Sequence, residues 1–221
     1  MKNILIYGAS GHAKMIIDII HRNNKHKIIG FLDSYKPRNK DIFGYKIIGN
    51  LDTLPTLIEQ HNIQGIVIAV GDNSNRQKAY NNISKITSNL EFVPIVHPSA
   101  IIARDVVISE GAVVMPSVVI NANAKIGRFT ILNTMSSLGH DSVMSDFSSL
   151  ASGATIGGNV NIGLCSAICL KTTIIQNISV GDHTIIGAAS LVVKSIGDLK
   201  KAFGSPIHTI KDRKPNSKYL G

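Results

Sequence analysis

Branched apolar residues recur at every sixth position through the second half of the chain. From Ala100 the sequence divides into sixteen hexads, and the third residue of each, from Ile102 to Val192, is Ile, Leu, Val or Met. The first position holds only Ala, Ser, Thr, Val or Ile, and the fourth is Gly in six hexads. A helix repeats every ~3.6 residues and a strand every ~2, so neither accounts for a period of six.

A period of six predicts a left-handed parallel β-helix, in which three hexads form one triangular coil and the third-position residues stack along the axis. Position one should point into the narrow interior, and position four should sit at a tight corner. Position two should face outward, yet it is often apolar: Val107, Val113, Val119, Ile131, Ile185 and Leu191. Exposed apolar surface of this extent predicts a partner surface, and we expect a homotrimer.

The N-terminal part has a different pattern, in which apolar runs alternate with an amphipathic segment. The runs ILIY (4–7), IIGFLD (28–33) and GIVIAVGD (65–72) predict buried strands, and GASGHAKMIIDIIHRN predicts a glycine turn that enters a helix. This alternation is typical of an α/β domain with a parallel sheet. We therefore expect a small Rossmann-like domain over residues 1–95 and a β-helix domain with its tail over 96–221.

The glycine turn at the first strand-to-helix junction predicts a phosphate site. Gly8 and Gly11 flank backbone N–H groups at a helix N-terminus, and Asp33 ends the second strand, where such folds hold a ribose hydroxyl. The spacing is G-x-x-G in a domain too small for a full dinucleotide fold, so a nucleotide diphosphate is favoured over NAD. The alternative is a tight turn with no ligand.

Composition limits the possible classes. No run approaches the ~18 apolar residues that cross a bilayer, so we expect a cytoplasmic protein without membrane insertion. Cys165 and Cys169 are spaced C-x3-C with no His pair nearby, which favours two buried small hydrophobes over a metal site or disulfide.

The net charge of +9 is concentrated at the two ends of the chain. Residues 1–95 carry 12 Lys/Arg against 7 Asp/Glu, residues 96–192 carry 4 against 5, and residues 193–221 carry 7 against 2. No nucleic-acid recognition motif accompanies this charge, and aromatic residues make up 5%. Small phosphorylated ligands at both ends fit the distribution, and solvated lysines are the alternative.

The chain resembles the bacterial nucleotide-sugar acetyltransferases. The resemblance rests on IYGASGH, FLDS, IAVGDNSNRQKAY, VHPSA, MPSVVINANAKIG, ILNT and GHD, which follow one another in that order. It is to the branch that includes the UDP-4-amino-sugar N-acetyltransferases, the perosamine N-acetyltransferases and the sialic-acid O-acetyltransferases. It implies acetyl-CoA-dependent N-acetylation of a 4-amino-4,6-dideoxy sugar linked to UDP, GDP or dTDP, for surface polysaccharide synthesis such as lipopolysaccharide O-antigen. It also implies a homotrimer with active sites between subunits.

By this resemblance His140 is the general base and Asp141 supports it. An imidazole of pKa ~6.5 suits proton abstraction near neutral pH, and a neighbouring carboxylate orients it. One coil is eighteen residues, so Gly158 should lie beside His140, where the family places an oxyanion donor. Asn133 matches a position in the same cleft, and Ser149 replaces a second His that is common in the family. The alternative for His140 is a solvated corner residue.

The matched motifs also imply the binding residues. Those assigned to the nucleotide sugar are Gly8, Ser10, Gly11, His12, Asp33, Ser34, Gly71, Asn73, Arg76 and Asn133. Those assigned to acetyl-CoA are Leu170, Lys171, Gly187, Ala188, Gly204 and Pro206. Lys211, Arg213 and Lys214 in the basic tail are candidates for the CoA phosphates.

Three other functions compete with this one. O-acetylation of sialic acid or its CMP ester is the nearest. A γ-type carbonic anhydrase is disfavoured, and no metal is expected, because the hexads contain only His140 and His183. A non-catalytic nucleotide-sugar sensor or scaffold is favoured only by Ser149.

Overall fold

In the computed structural model, which describes residues 1–215 and 217, the chain begins with an α/β domain. Its elements are β1 (Lys2–Tyr7), α1 (Gly11–Asn23), β2 (His26–Leu32), β3 (Asp41–Ile42), β4 (Tyr45–Gly49), α2 (Leu54–His61), β5 (Gly65–Ile68), α3 (Asn73–Ile86) and β6 (Glu91–Phe92). Helix α1 follows the predicted amphipathic pattern and buries Ala13, Ile16, Ile17 and Ile20.

The strands of this domain form one sheet in the order β3-β4-β2-β1-β5-β6, and its pairs are parallel except β3 with β4. The chain moves outward from β1 to β2 on one side and returns to β5 on the other. The carboxyl ends of β1 and β5 therefore flank a switch in strand order, which is where open α/β sheets bind ligands.

Short parallel strands then start every six residues. They are β7 (Ile95–Val96), β8 (Ile101–Ile102), β9 (Val107–Ile108), β10 (Val113–Val114), β11 (Val119–Ile120), β12 (Lys125–Ile126), β13 (Ile131–Leu132), β14 (Ser137–Leu138), β15 (Val143–Met144), β16 (Ser149–Leu150), β17 (Thr155–Ile156), β18 (Asn161–Ile162), β19 (Ala167–Ile168), β20 (Thr173–Ile174), β21 (Ser179–Val180), β22 (Ile185–Ile186) and β23 (Leu191–Val192).

Each short strand pairs with the strand eighteen residues away, which produces the three faces of a left-handed β-helix. The first sheet holds β7, β10, β13, β16, β19 and β22, the second runs from β8 to β23, and the third from β9 to β21. The hairpin of β24 (Lys200–Gly204) and β25 (Ile207–Asp212) extends the first sheet. The coils begin one hexad earlier than Ala100, so the predicted boundary between residues 95 and 96 falls inside β7.

The interior of the prism explains the residue types at positions one and three. Third-position residues such as Leu132, Leu150 and Ile168 are fully buried, and their stack supplies the apolar core. Position one is buried even where it is Ser or Thr. The Ser142 hydroxyl donates to the Gly157 carbonyl (3.1 Å) and the Ser166 hydroxyl to the Gly181 carbonyl (2.6 Å), so these buried polar groups are satisfied.

At the corners of the prism, positions four and six of the hexad have different structural roles. The sixth residue adopts the left-handed conformation, as in Asp141 (φ 57°) and Asn177 (φ 61°). Position four lies where successive coils approach, and a Cβ at Gly139 would be 2.2 Å from the Gly157 carbonyl oxygen. The coil approach suits glycine at Gly139, whereas other hexads carry larger residues such as Met115 and Ile175 at position four. The left-handed turn itself is at position six.

The N-terminal domain covers the first sheet, which corrects part of the expected partner surface. Val113, Ile131 and Ile185 are each at most 5% exposed in the single chain, and Val113 and Ile131 share a buried cluster with Ile16 and Ile17 of α1. The prediction that these position-two residues form free apolar surface is wrong, because the chain's own first domain packs against Val113 and Ile131, and Ile185 is also buried within the single chain. Val107 remains 57% exposed, and Val119 and Leu191 are half-buried.

Within residues 1–215 and 217, no helix has both the length and the apolar composition that crossing a bilayer requires.

Candidate active site

His140 and Asp141 occupy positions five and six at the corner between the second and third sheets. The local fold directs both side chains outward, and they are 68% and 53% exposed. Asp141 is held in its left-handed conformation by its N–H, which donates to the Ala122 carbonyl of the preceding coil (3.0 Å). The pair is therefore presented at the surface of the rigid prism.

The contact between the two side chains fixes the tautomer of the imidazole. His140 Nδ1 lies 2.7 Å from Asp141 Oδ2, and Asn123 Nδ2 donates to Asp141 Oδ1 (3.2 Å). The hydrogen bond from His140, followed by that from Asn123, lowers the pKa of the Asp141 carboxyl. An ionised carboxylate only accepts hydrogen bonds, so Nδ1 carries the proton and the Nε2 lone pair is free to act as a base.

Gly158 lies under the His140 ring, one coil along the prism. A Cβ at this position would be 2.4 Å from His140 Nε2 and 2.7 Å from Cε1. Any other residue here would displace the imidazole. The absence of a side chain at Gly158 therefore gives the ring its position.

The Gly158 N–H also differs from the amides at another corner. Between the third and first sheets, Arg128 N–H donates to Asp146 Oδ1 (2.8 Å) and Leu164 N–H to Asp182 Oδ1 (2.7 Å). No acceptor among the described residues takes the Gly158 N–H. A free amide beside a base can stabilise developing negative charge.

A second site lies in the N-terminal domain, at the carboxyl ends of β1, β2 and β5. A cavity of about 480 Å³, which we call the nucleotide cavity after the ligand that the sequence predicts, is lined there by Tyr7, Gly8, Ala9, Ser10, Asp33, Ser34, Tyr35, Lys36, Ala69, Val70, Gly71, Asn75, Lys78, Ala79 and Asn82. The structure thus brings together five of the residues assigned to the nucleotide sugar: Gly8, Ser10, Asp33, Ser34 and Gly71. A cavity of this size is typical for a small ligand or cofactor.

Asp33 stabilises the backbone that lines this cavity. Its Oδ2 accepts from Ala9 N–H (3.0 Å), and its Oδ1 accepts from Tyr35 N–H (2.9 Å) and Lys36 N–H (3.0 Å). Partial burial alone would raise the pKa of Asp33, but these amides and the Lys36 ammonium outweigh it and the pKa is lowered. The carboxylate therefore stays charged and ties the glycine turn to the end of β2.

Five of the residues assigned to the nucleotide sugar lie outside this cavity, among them Gly11, Asn73 and Arg76. Gly11 opens α1 and lines an adjacent cavity of about 320 Å³ with Lys14, Lys36 and Lys40. Asn73 and Arg76 are buried between the two domains, where the Arg76 guanidinium donates to backbone carbonyls of both. The assignment of Asn73 and Arg76 to the nucleotide is corrected, because neither side chain reaches the cavity.

A third cavity, which we call the interdomain cleft, separates the N-terminal domain from the first sheet. It measures about 330 Å³ and is lined by His12, Gly71, Ile131, Asn133, Ser149, Ala151, Ala167, Ile168, Cys169, Leu170 and Ala188. Gly71 lines both this cleft and the nucleotide cavity, so the two spaces are neighbours. The cleft brings His12, Asn133 and Ser149 together, but its lining does not include His140.

His12 is the titratable group of the cleft with the largest shift. Burial, helped by the Arg76 cation, lowers the pKa of His12 to about 4. Its Nε2 atom is buried and has no hydrogen-bond partner among the described residues. A neutral imidazole with an unused nitrogen is suited to a polar group of a ligand.

The cysteines are free, and burial raises the pKa of both thiols. Cys165 is buried as predicted, whereas Cys169 is only partly buried because it faces the interdomain cleft. In the described part of the chain, no group of three or more His, Cys, Asp and Glu side chains is arranged to hold a metal ion.

The residues assigned to acetyl-CoA fall in two places. Leu170 and Ala188 lie one coil apart at the corner between the first and second sheets, next to Lys171 and Gly187. Gly204 and Pro206 lie at the turn between β24 and β25, and Gly204 N–H donates to Ser190 Oγ (3.2 Å). Arg213 donates to the His183 carbonyl (2.6 Å), so it anchors the tail to the prism.

Reasoning from the sequence did not identify Lys36, Asn75 and Lys78, which line the nucleotide cavity. Asn75, Lys78 and Asn82 project from one face of α3 toward it. Their spacing of three and four residues was a usable signal, because such positions share a helix face.

The comparisons with known proteins match both domains. Residues 3–83 match the model of the PglD N-terminal domain. The UDP-N-acetylbacillosamine N-acetyltransferase of Bacillus subtilis (strain 168) is 31% identical over 117 residues, and the match spans about half the length of each chain (50% of both).

Two solved structures match over nearly the whole chain. PerB from Caulobacter crescentus, solved with CoA and GDP-perosamine, has a TM-score of 0.88 at 29% identity and covers 96% of this chain and 98% of its own. The acetyltransferase domain of PglB from Neisseria gonorrhoeae FA1090, solved with acetyl coenzyme A, has a TM-score of 0.86 at 26% identity and covers 94% and 98%.

Proposed function

We propose that this chain, a homologue of the nucleotide-amino-sugar N-acetyltransferases, transfers the acetyl group of acetyl-CoA to the 4-amino group of a nucleotide-linked 4-amino-4,6-dideoxy sugar. The product would serve the synthesis of a surface polysaccharide or glycan. The observation that carries the proposal is the exposed His140–Asp141 pair, whose Nε2 lies over Gly158 at the corner of the prism.

The geometry supports direct transfer without a covalent enzyme intermediate. The sugar amine attacks the thioester carbonyl while His140 Nε2 takes the proton that the amine loses. The Gly158 N–H donates to the oxyanion of the tetrahedral intermediate. Collapse expels the CoA thiolate, which receives the proton from His140, so the products are an amide and a free thiol.

The nucleotide cavity and the interdomain cleft together suit the acceptor. The N-terminus of α1, with Ser10 at its cap, and the cationic side chains of Lys36 and Lys78 favour a diphosphate in the larger cavity. From there the sugar would pass Gly71 into the cleft, where apolar side chains such as Ile131 suit a deoxy carbon and His12 Nε2 offers a polar contact.

The separation of His140 from this acceptor site favours an active site shared between subunits. Asn133 lines the cleft at one corner of the prism, and His140 lies at the next, roughly 20 Å of extended chain away. The base of one subunit would then serve the acceptor bound by its neighbour. We therefore propose a cyclic homotrimer that uses the second and third sheets, since the first is covered.

Charge reversal at Lys78 tests the nucleotide site. We expect Lys78→Glu to raise the acceptor KM about tenfold, because a carboxylate would face the diphosphate, while the KM for acetyl-CoA stays unchanged. Lys85→Glu on the same helix is the matched control, since Lys85 is exposed and outside the cavity. Equal effects of the two substitutions on the acceptor KM would rule out this placement of the nucleotide.

Mixed subunits test the shared site. We expect His140→Ala and Lys78→Glu, each poorly active alone at low acceptor concentration, to regain activity when co-expressed with different tags and purified as mixed oligomers. In random mixtures about one site in four would combine an intact base with an intact nucleotide site from the neighbour. Mixed oligomers no more active than the separate variants would show that each site lies within one chain.

Thiol release from acetyl-CoA with 4-amino sugars linked to UDP, GDP and dTDP tests the proposed reaction itself. We expect one nucleotide series to be acetylated, and the product to resist mild alkali because it is an amide. Transfer to sialic acid or its CMP ester alone, giving an alkali-labile product, would replace N-acetylation by O-acetylation. No thiol release with any acceptor would contradict the enzymatic assignment.

A further inference from the structure

Arg76 of α3 is fully buried and connects the two domains through backbone carbonyls. Toward the β-helix, its Nε donates to the Phe129 carbonyl (2.7 Å) and its Nη2 to the Phe147 carbonyl (2.9 Å). Toward its own domain, Nη1 donates to the carbonyls of Val70 (3.1 Å) and Gly71 (2.8 Å). One guanidinium thus bridges two units that are far apart in sequence.

The carbonyls on the β-helix side belong to one column at the corner between the third and first sheets. Phe129, Phe147 and Cys165 are sixth-position residues, eighteen residues apart, and all have positive φ (55°, 59° and 55°). Asn73 extends the contact by donating through Nδ2 to the Cys165 carbonyl (3.3 Å) and by accepting from Arg76 Nη2 (2.7 Å). Asn73 and Arg76, at the start of α3, therefore contact three successive coils of the β-helix.

The carbonyls that Arg76 contacts in the N-terminal domain belong to residues that line the ligand cavities. Val70 and Gly71 line the nucleotide cavity, and Gly71 also lines the interdomain cleft. Hydrogen bonds from a buried cation are stronger than neutral ones, and a planar guanidinium holds several acceptors in a fixed arrangement. The Arg76 side chain thus fixes the position of the Val70–Gly71 segment relative to the β-helix.

We propose that Arg76 is a positioning residue, which sets the orientation of the acceptor-binding domain on the β-helix by holding Val70 and Gly71 against the column of corner carbonyls. Its effect on acceptor binding rests on the proposed function, whereas its effect on the 70–71 segment does not. Arg76 touches neither cavity, so it would act through the backbone of Gly71. Misplacement of a bound group by ~1 Å can cost ~100-fold in rate, so such a residue affects turnover from a distance.

The test compares Arg76→Lys with Phe147→Leu. Lysine keeps the charge but cannot reach both sets of carbonyls, whereas leucine removes the stacking of Phe147 on Phe129 (centroids 5.2 Å) and leaves Val70 and Gly71 untouched. We expect both variants to lower the melting temperature. Only Arg76→Lys should speed amide hydrogen exchange over residues 69–72 and raise the acceptor KM, each at least about tenfold, with acetyl-CoA binding unchanged.

Equal exchange over residues 69–72 in both variants would mean that Arg76 only stabilises the fold, and the proposal would be overturned. If the wild-type protein acetylates no amino sugar, the proposed function fails, but the exchange comparison still decides the role of Arg76. Arg76→Gln replaces Arg76→Lys if the lysine variant does not fold by circular dichroism. The same outcome over residues 69–72 is then required of it.

Discussion

Replacing His140 with alanine is expected to lower kcat by at least about 100-fold, the loss typical when a general base is removed. The fold should be unaffected, because the side chain is 68% exposed and contributes little packing. Steady-state thiol release at saturating acetyl-CoA and acceptor measures the loss. The melting temperature of the same preparation measures the stability.

Two further variants show whether the loss belongs to the base. His61→Ala removes an exposed histidine at the end of α2 and should leave kcat within a factor of about two, as for a surface change away from a site. Asp141→Asn should reduce kcat less than His140→Ala does, because the imidazole remains but its tautomer is no longer fixed. A His140→Ala protein that keeps more than about a tenth of wild-type kcat would remove His140 from the mechanism.

Adding a single methyl group at Gly158 is expected to have a similarly large effect. The Cβ of Gly158→Ala would be 2.4 Å from His140 Nε2, so the imidazole must move. A displacement of about 1 Å at the base predicts a loss of about 100-fold in kcat. The backbone of Gly158 does not require a positive φ, so the fold should accept alanine and the melting temperature should change little.

The control for Gly158→Ala is Gly197→Ala, where a Cβ meets nothing within 4 Å. This control should keep wild-type kcat. In the His140→Ala background, Gly158→Ala should cost far less than it does alone, because the ring that it displaces is already absent. Fully additive losses in the double variant would show that Gly158 acts independently of His140.

The resemblance assigned the proposed catalytic role to His140, and the arrangement around it could be predicted from the sequence because its contacts are local or repeat with the coil. His140 and Asp141 are adjacent, and Gly158 is reached by adding one coil of eighteen residues. In a β-helix every coil repeats the same backbone path, so a distance along the chain becomes a distance in space.

The orientation of the side chains of α3 could not be predicted in this way. The motif that contains Asn73 and Arg76 was assigned to the nucleotide, yet these side chains face the β-helix, and Asn75 and Lys78 face the cavity. Residues of both groups are polar, so their types do not reveal which helix face meets solvent and which meets protein. The orientation of α3 is set by the packing of the N-terminal domain against the corner carbonyls of the β-helix.

The α/β pattern, the β-helix and its coil length could be read from the sequence, because each depends on short-range periodicity that the order of residues records directly. The tertiary structure decided that Val113 and Ile131 lie under the N-terminal domain, that His12 loses its solvent and has a pKa of about 4, and that the interdomain cleft is one corner away from His140. These features depend on how two separately folded units pack against each other, and the free energy of that packing comes from contacts between residues that no local pattern relates.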